Sequence, residues 1–249
     1  MVFGLDLFKA FFAGYENQYV LIGGAACDVL FEYNDLTFRS TKDIDVVLIV
    51  EALTPEFGER FWEFIMNGHY SNKSMTSNSP RFYRFEKPID NTYPRMIELF
   101  CRSDFELKEA KGITPIHFAD DVSSLSAILL DKDYYQLLLR GKTIVDNISV
   151  LKPECLILFK MKAFLDMRFR HENGEESLTK HIKKHKKDIL RLTAELMLTR
   201  VEEIPESIMK EINEFVDLLL EEPFDANLLR EYGLRNDDVV EKLKTVYSL

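Results

Sequence analysis

Long apolar runs are missing from this chain of 249 residues. A bilayer-spanning helix needs roughly 18 consecutive apolar residues, whereas runs such as Val46–Val50 are short and flanked by charge. The first 13 residues are apolar but contain Asp6 and Lys9 and lack a basic start, so they do not resemble a signal peptide. We therefore expect a cytoplasmic protein that does not associate with membranes.

Cysteines are also scarce, and the 32 basic residues are outnumbered by 42 acidic ones. The three cysteines, Cys27, Cys101 and Cys155, are widely spaced in apolar surroundings, which predicts buried free thiols and no disulfide framework. The formal net charge of −10 argues against sequence-independent attraction to nucleic acid, although it permits a local basic groove. Apolar residues make up 46% of the chain, enough for one large domain or for a compact domain with a smaller appended one.

Strand and helix patterns alternate in the first hundred residues. The predicted strands are Tyr19–Ile22, Asp43–Val50, Arg81–Phe85 and Arg95–Cys101, and the predicted helices are Ala25–Tyr33 and Pro55–Asn67. A turn-rich connection separates the last two strands, so we expect them to be antiparallel neighbours. These elements predict an α+β fold with a mixed sheet.

The pattern becomes helical after Pro153. Before it we expect short mixed elements, with a helix or strand near Ser124–Leu130, an alternating stretch at Tyr134–Leu139 and a turn at Gly141. The helix after Pro153 is followed by a second at Leu178–Leu198, and prolines punctuate two more. We therefore predict a sheet domain at residues 1–150 and a helical C-terminal region at residues 151–249.

Asp43 and Asp45 start the second strand. Side chains two apart in a strand point to the same face, so the two carboxylates lie side by side. Like charges at this distance favour a divalent cation, and Mg²⁺ prefers a few carboxylate oxygens with water and phosphate in the remaining positions. A solvated strand end is the alternative, and the surrounding sequence favours the metal.

Gly23 and Gly24 lie between a strand and a helix. Glycine lets the backbone approach a phosphate, and the N-terminus of a helix offers unpaired N–H groups. Any tight turn could also use two glycines. The segment matches neither a Walker A loop nor the dinucleotide-binding fingerprint.

A third carboxylate is expected on a neighbouring strand, because two metal ions need more than two ligands. Glu98 interrupts an otherwise apolar strand and is the first candidate, and Glu86 in the partner strand is its rival.

These motifs resemble a known family. Gly23-Gly24-Ala25-Ala26 and the segment from Arg39 through Thr41 to Asp45 are similar, in this order, to the G-G-x-A and R-x-T-x-D-I-D signatures of the AbiEii-type nucleotidyltransferases. The resemblance implies a polymerase-beta-like nucleotidyltransferase fold, with residues 1–150 as the catalytic domain. Members are often toxins that modify RNA or other targets, so it also raises an antitoxin protein as a partner.

The resemblance extends into the helical half. The family has a K-x-x-A-x-x-x-R-like helix followed by a helix with an aspartate. Here Lys160 and Ala163 match the first helix, Arg168 comes one position late in it, and Asp188 matches the second helix. It implies that Lys160 contacts the triphosphate and that Asp188 has a supporting or catalytic role. On physical grounds Lys160 could equally snorkel from an apolar stripe.

The resulting prediction is a Mg²⁺-dependent enzyme that moves a nucleoside monophosphate from a nucleoside triphosphate to an acceptor hydroxyl. Arg39 and Thr41 contact phosphate or hold the loop before Asp43. The basic stretch Lys180–Lys187 favours RNA as acceptor, whereas the overall acidity favours a small or cationic molecule. Neither observation identifies the acceptor. A small-molecule enzyme of the antibiotic-modifying type and a non-catalytic module that binds nucleotide or a partner protein are the alternatives.

Overall fold

The computed structural model describes residues 2–72, 82–100 and 131–249. Its contacts divide the chain into two compact units. The sheet unit comprises the described residues of Met1–Leu130 together with Lys142–Leu151, and the helical unit comprises Asp131–Gly141 and Lys152–Leu249. The chain therefore enters the helical unit, returns for ten residues to the sheet unit, and then leaves it again. The sequence-based division at residue 150 stays a prediction.

A mixed sheet organises the sheet unit. Within the described residues its strands are β1 (Tyr19–Ile22), β2 (Asp43–Leu48), β3 (Ser71–Asn72), β4 (Phe82–Glu86), β5 (Met96–Phe100), β6 (Lys142–Val145) and β7 (Ile148–Leu151). Their order is β3-β4-β5-β2-β1-β7-β6. The pairs β2–β5 and β1–β7 are parallel, and the others are antiparallel.

Helices α1 (Leu5–Phe11), α2 (Gly23–Tyr33) and α3 (Pro55–Asn67) complete the described part of the sheet unit, with a short 3₁₀ turn at Val50–Ala52. Helix α3 begins where the Thr54 hydroxyl accepts the N–H of Phe57 and proline takes the first position. Its rings meet the sheet through Phe57 against Tyr19 and Phe61 against Phe85. Aromatic packing thus covers the sheet face that carries Tyr19 and Phe85.

The helical unit contains α4 (Lys132–Gly141), α5 (Pro153–Glu172), α6 (Thr179–Glu195), α7 (Glu206–Glu221), α8 (Ala226–Glu231) and α9 (Asn236–Tyr247), with a 3₁₀ turn at Glu176–Leu178. Helix α5 is its centre, because the eight residues from Glu154 to Met161 are all buried. A helix buried on every side has neighbours all around it, so polar groups on it need partners inside the protein.

The predicted fold class is confirmed: a mixed sheet with helices precedes a mostly helical C-terminal part. The first strand, the antiparallel pairing of β4 with β5, and helix α3 are confirmed as well. The second strand is two residues shorter than predicted, because the chain turns into the 3₁₀ segment. Three helices follow α6 rather than two.

The alternating stretch predicted at Tyr134–Leu139 is wrong, because these residues belong to helix α4. Tyr134, Tyr135, Leu137 and Leu138 are all buried, and this spacing of one, three and four residues is that of a helix face. The Asp131 carboxylate accepts the N–H groups of Asp133 and Tyr134, which fixes the start of the helix.

The hairpin of β6 and β7 was not predicted. It turns at Asp146-Asn147, both of which have positive φ, at 47° and 58°. Positive φ at both central residues is the requirement of the two-residue hairpin turn that matches strand twist, and Asp and Asn tolerate it. The dipeptide between two β-branched runs was the signal in the sequence. Helix α1 was not predicted either.

Some predictions lie outside the described residues, namely those for Ser124–Leu130 and Cys101 and part of the loop after Asn67. Cys27 and Cys155 are buried free thiols, as predicted, and burial raises the pKa of Cys155 to about 12. Among the helices in the described ranges, none combines the length and apolar character required to cross a membrane.

Candidate active site

Asp43, Asp45 and Glu98 lie on one face of the sheet. Asp43 and Asp45 are two residues apart in β2, and Glu98 in β5 is the parallel-strand partner of Asp45. Asp45 is buried, with 9% of its surface exposed, whereas Asp43 is partly exposed at the start of the strand. The three residues that the sequence proposed as metal ligands therefore share a sheet face, on adjacent strands.

Gly23 lies directly against Asp45. Its φ is +65°, and a Cβ atom built there would be 1.9 Å from Oδ2 of Asp45. A side chain at this position would therefore clash with the carboxylate and also force a conformation that L-residues rarely adopt. The register Ile22↔Asp45 explains the proximity, because β1 ends where β2 has just begun. The glycine keeps the space that the Asp45 carboxylate occupies.

Gly24 makes a similar close approach to Thr41. A Cβ atom at Gly24 would be 2.7 Å from the Thr41 hydroxyl oxygen. The loop before β2 is thereby packed onto the first turn of α2. This packing agrees with the role predicted for Thr41 in holding the loop. The Arg39 guanidinium lies 5.1 Å from the ring centroid of Phe38, a cation–π contact within the same loop. Contacts of Arg39 and Thr41 with phosphate stay predictions.

Helix α2 begins at this turn. It has 11 residues, its N-cap is Ile22, and no side chain of the described residues caps it. The first N–H groups of a helix have no partner within the helix, and its dipole favours an anion there. The start of α2, the Asp45 carboxylate and the end of β1 thus meet at one end of the sheet.

Glu98 has a partner that the sequence analysis missed. Arg84 in β4 lies opposite Glu98, and its Nη2 and Nε atoms are 2.7 Å and 2.8 Å from Oε1 of Glu98. A two-atom contact of this kind is a strong, oriented ion pair. An arginine two residues from Glu86 in a strand predicted to pair with the Glu98 strand was the available signal. Glu86 itself pairs with Met96 and lies on the same face.

The fit to a metal is therefore uneven across the three carboxylates. Asp43 and Asp45 offer the hard oxygen ligands that Mg²⁺ takes when phosphate supplies the others. Glu98, in contrast, is bound by Arg84. Across the described ranges, no three His, Cys, Asp or Glu side chains form a group that could hold a metal ion. The aspartate pair suits Mg²⁺, and the part of Glu98 as a third ligand stays a prediction.

A cleft of about 660 Å³ opens beside Asp43. It is lined by residues from the N-terminal segment, the start of β2 and the connection between β4 and β5, namely Phe3, Lys42, Asp43, Glu86, Lys87, Pro88, Asn91, Tyr93, Arg95 and Met96. Three of these are cations and two are carboxylates. The cleft belongs entirely to the sheet unit.

Comparisons with known proteins give a similarity to a solved structure. No protein-family model matches the chain, and no curated protein matches it. The chain is similar to the crystal structure of an antigenic nucleotidyltransferase-like protein from Paracoccidioides brasiliensis, with 13% identity, 96% of this chain and 89% of that chain covered, and a TM-score of 0.47. A similarity at this level does not identify an activity. Membership in the AbiEii-type family stays a prediction.

In the helical unit, Lys160 and Asp188 form a buried ion pair. The ammonium lies 2.8 Å from Oδ2 of Asp188, and the two side chains are 5% and 0% exposed. Lys160 therefore does not snorkel to the surface, because its charge is met inside the protein by a carboxylate on α6. The predicted role of Lys160 at the triphosphate, and of Asp188 in support, stay predictions.

Arg168 and the basic stretch lie in the same unit. The Arg168 guanidinium binds both carboxylate oxygens of Glu222, at 2.7 Å and 3.0 Å, and this contact raises the pKa of Arg168. In the basic stretch, Lys180, Lys183 and Lys187 are exposed on α6. A solvated helix face accounts for these exposed lysines.

Proposed function

We propose that this chain is a Mg²⁺-dependent nucleotidyltransferase that moves a nucleoside monophosphate from a nucleoside triphosphate to an acceptor hydroxyl. The arrangement of Asp43 and Asp45 beside the Gly23-Gly24 turn carries the proposal. It combines a carboxylate pair for a cation with a helix N-terminus for phosphate. The two lie together because Gly23, at the start of α2, is directly against the Asp45 carboxylate. The order of these motifs, which resembles that of AbiEii-type enzymes, agrees with this reading.

The side chains divide the chemistry between them. Asp43 and Asp45 would hold the cation, which when bound offsets phosphate charge and favours ionisation of the attacking hydroxyl. The N–H groups at the start of α2, where Gly23 and Gly24 lie, bind triphosphate oxygens. Once Arg84 has released the Glu98 carboxylate, Oε1 of Glu98 accepts the proton of the acceptor hydroxyl. Thr41 keeps the loop before β2 in place.

The Arg84–Glu98 ion pair favours one rival function. If Arg84 never releases Glu98, the site keeps two carboxylates and binds a nucleotide with its cation without transferring it. The chain would then be a nucleotide-binding module. Transfer to RNA and transfer to a small hydroxylated molecule both require the released state, so activity decides between the catalytic and non-catalytic readings.

The test is a transfer assay with each α-labelled nucleoside triphosphate, Mg²⁺, and either total RNA or a panel of hydroxylated metabolites. We expect label to reach an acceptor and pyrophosphate to be released. Asp45→Asn should lower the rate at least about 100-fold, more than the loss of a supporting group around a metal causes. Asp217→Asn, an exposed aspartate on α7, is the matched control and should leave the rate unchanged.

Two results would count against the proposal. If Asp45→Asn transfers label at the wild-type rate, the assignment of the metal site to β2 is wrong. Triphosphate binding that needs Mg²⁺ and Asp45, with no transfer to any acceptor, would instead establish the binding module.

A further inference from the structure

The cleft beside Asp43 has a defined place relative to the Gly23-Gly24 turn. In the sheet, β1 lies on one side of β2, and β5 and β4 lie on the other. The turn follows β1, whereas the cleft is lined from the β5 and β4 side by Met96 and Glu86, which are register partners in line with Asp43. Asp43 thus separates the turn from the cleft at one end of the sheet.

This order matches the geometry of phosphoryl chemistry. The attacking and leaving oxygens stand roughly in line on opposite sides of the phosphorus. If the triphosphate lies at the turn, as the proposed function requires, and pyrophosphate leaves on the turn side of the α-phosphorus, in-line attack brings the acceptor from the other side of Asp43. That side is the cleft.

Three of the described residues that line the cleft are cationic, namely Lys42, Lys87 and Arg95. All three are exposed, and none forms an ion pair with another residue in the described part of the chain. The described carboxylates in the lining are Asp43, which the proposed function assigns to the cation, and Glu86. Among these residues the cations therefore outnumber the carboxylates that face an acceptor, in a protein whose net charge is −10.

The backbone that carries two of these cations is fixed. Lys87 has a φ of +52°, and its N–H donates to the carbonyl of Arg95 at 3.2 Å. A lysine in this left-handed conformation is strained, and such strain persists only where surrounding structure imposes it. The connection between β4 and β5 is therefore closed at its base, with Lys87 and Arg95 side by side.

Three further contacts hold this connection. The Tyr70 hydroxyl donates to the Pro94 carbonyl at 2.6 Å, and the N–H of Ile89 donates to the Gly68 carbonyl at 3.1 Å. A Cβ atom on Gly4 would be 2.3 Å from the Pro94 nitrogen, so the N-terminal segment packs directly on the connection. This packing places Phe3, which is 50% exposed, in the cleft lining.

We propose that this cleft is the acceptor site and that it selects a nucleoside phosphate, with Lys42, Lys87 and Arg95 binding the phosphate and Phe3 contacting the base. The inference rests on the proposed function for the direction of approach. Cations bind phosphate oxygens by charge-assisted hydrogen bonds, and an aromatic ring accepts any base by stacking. A cationic acceptor such as an aminoglycoside is disfavoured by the same three charges.

The test measures acceptor binding separately from triphosphate binding. The full chain is first saturated with a non-hydrolysable triphosphate and Mg²⁺, and adenosine 5′-monophosphate, adenosine, or a 5′-phosphorylated hexaribonucleotide is then titrated by calorimetry. Arg95→Gln should raise the dissociation constant of the phosphorylated probes about tenfold, as expected for loss of one charged hydrogen bond. Adenosine, which has no phosphate, should bind wild type and variant with similar affinity.

Two variants and a control sharpen the result. Lys87→Asn retains a residue that tolerates positive φ and should act like Arg95→Gln, and Arg95→Lys should recover part of the affinity. Lys132→Gln, an exposed lysine on α4, should change nothing. A response of the monophosphate identifies a free nucleotide as acceptor, and a response of the hexanucleotide alone identifies the end of a nucleic acid.

Failure of the inference and failure of the proposed function are distinguishable. Unchanged affinity of both phosphorylated probes in Arg95→Gln and Lys87→Asn, with transfer activity intact, overturns the acceptor site alone. Tighter binding of an aminoglycoside to the wild type than of the monophosphate overturns it as well. Arg95-dependent binding of the monophosphate in a protein that transfers nothing overturns the proposed function alone.

Discussion

Asp45 in the sheet unit and Asp188 in the helical unit are both buried carboxylates, with very different neighbours. Asp188 has an ammonium 2.8 Å away. Asp45 lies on a face with Asp43, Glu86 and Glu98, of which Glu98 is bound by Arg84, and beside a glycine whose lack of a side chain gives it room. One arrangement is a single buried ion pair, and the other gathers four carboxylates on one face of the sheet. The difference indicates that Asp188 stabilises the fold, and it agrees with the part in cation binding that we propose for Asp45.

The largest effect is expected from Lys160→Met. The substitution leaves Asp188 buried without its cation, and loss of one partner of a buried pair costs about 3–5 kcal/mol of stability. Urea unfolding followed by circular dichroism gives the free energy of unfolding. The double variant Lys160→Met/Asp188→Leu should recover most of the loss, because it removes both charges. Equal stability of Lys160→Met and wild type would mean that the pair does not stabilise the fold.

Gly23→Ala comes next. Its Cβ atom would meet Oδ2 of Asp45 at 1.9 Å and would require a φ of +65°. Gly233→Ala is the matched control, because φ there is +64° and a Cβ would meet nothing within 4 Å. Both variants carry the backbone strain of about 1 kcal/mol. We expect thermal melts to show an additional loss of stability of about 1–2 kcal/mol for Gly23→Ala only, as for overpacked sites. Equal losses in the two variants would mean that the contact between Gly23 and Asp45 does not limit the side chain at position 23.

A smaller effect of opposite sign is expected from Asp45→Asn without metal. Removal of one charge from a face with four carboxylates relieves repulsion, so the free energy of unfolding should hold or rise by up to about 1 kcal/mol. Asp188→Asn, the same substitution in the helical unit, should instead destabilise. The two are compared by urea unfolding in EDTA. A clear loss of stability in Asp45→Asn would make Asp45 a structural residue like Asp188.

The smallest effect concerns the surface pair of Arg168 and Glu222. The hydrogen bonds from Arg168 lower the pKa of Glu222 below its ordinary value. The pair therefore stabilises the fold fully above the ordinary carboxyl pKa of the unfolded chain, and less as pH falls through the lower folded value. Because Glu222 is 53% exposed, solvent screening limits the loss in Glu222→Gln to about 0.5 kcal/mol. Thermal melts should show this loss at pH 7, and the loss should become smaller as pH falls below the ordinary carboxyl pKa and in high salt.

Local sequence predicted the elements whose pattern repeats along the chain. The order of strand, glycine turn and helix at residues 19–33 follows from residue type and short-range periodicity, and so does α3. The common face of Asp43 and Asp45 also follows, since it needs only the two-residue repeat of a strand. Helix α4 was misread because four buried residues within a five-residue window fit both a broken alternation and a helix face.

Contacts between distant residues were not predictable in this way. The Arg84–Glu98 pair depends on the register of β4 against β5, and a shift of one residue would place the two side chains on opposite faces. The pairing of Lys160 with Asp188 depends on how α5 packs against α6, which neither helix encodes alone. Glu98, Lys160 and Asp188 were candidates from the sequence, Arg84 was not, and neither contact could be derived from sequence.

The parallel pairing of β1 with β7 has a consequence for synthesis of the chain. Leu21 and Val150 are register partners, so the inner strand β1 lacks one neighbour during translation until about 130 more residues have been added. By then the ribosome has already made α4, which belongs to the other unit. A contact this distant along the chain forms slowly because loop closure comes first. During synthesis, completion of the sheet around Asp45 is therefore a late event. It cannot come before the residues of α4 have been made.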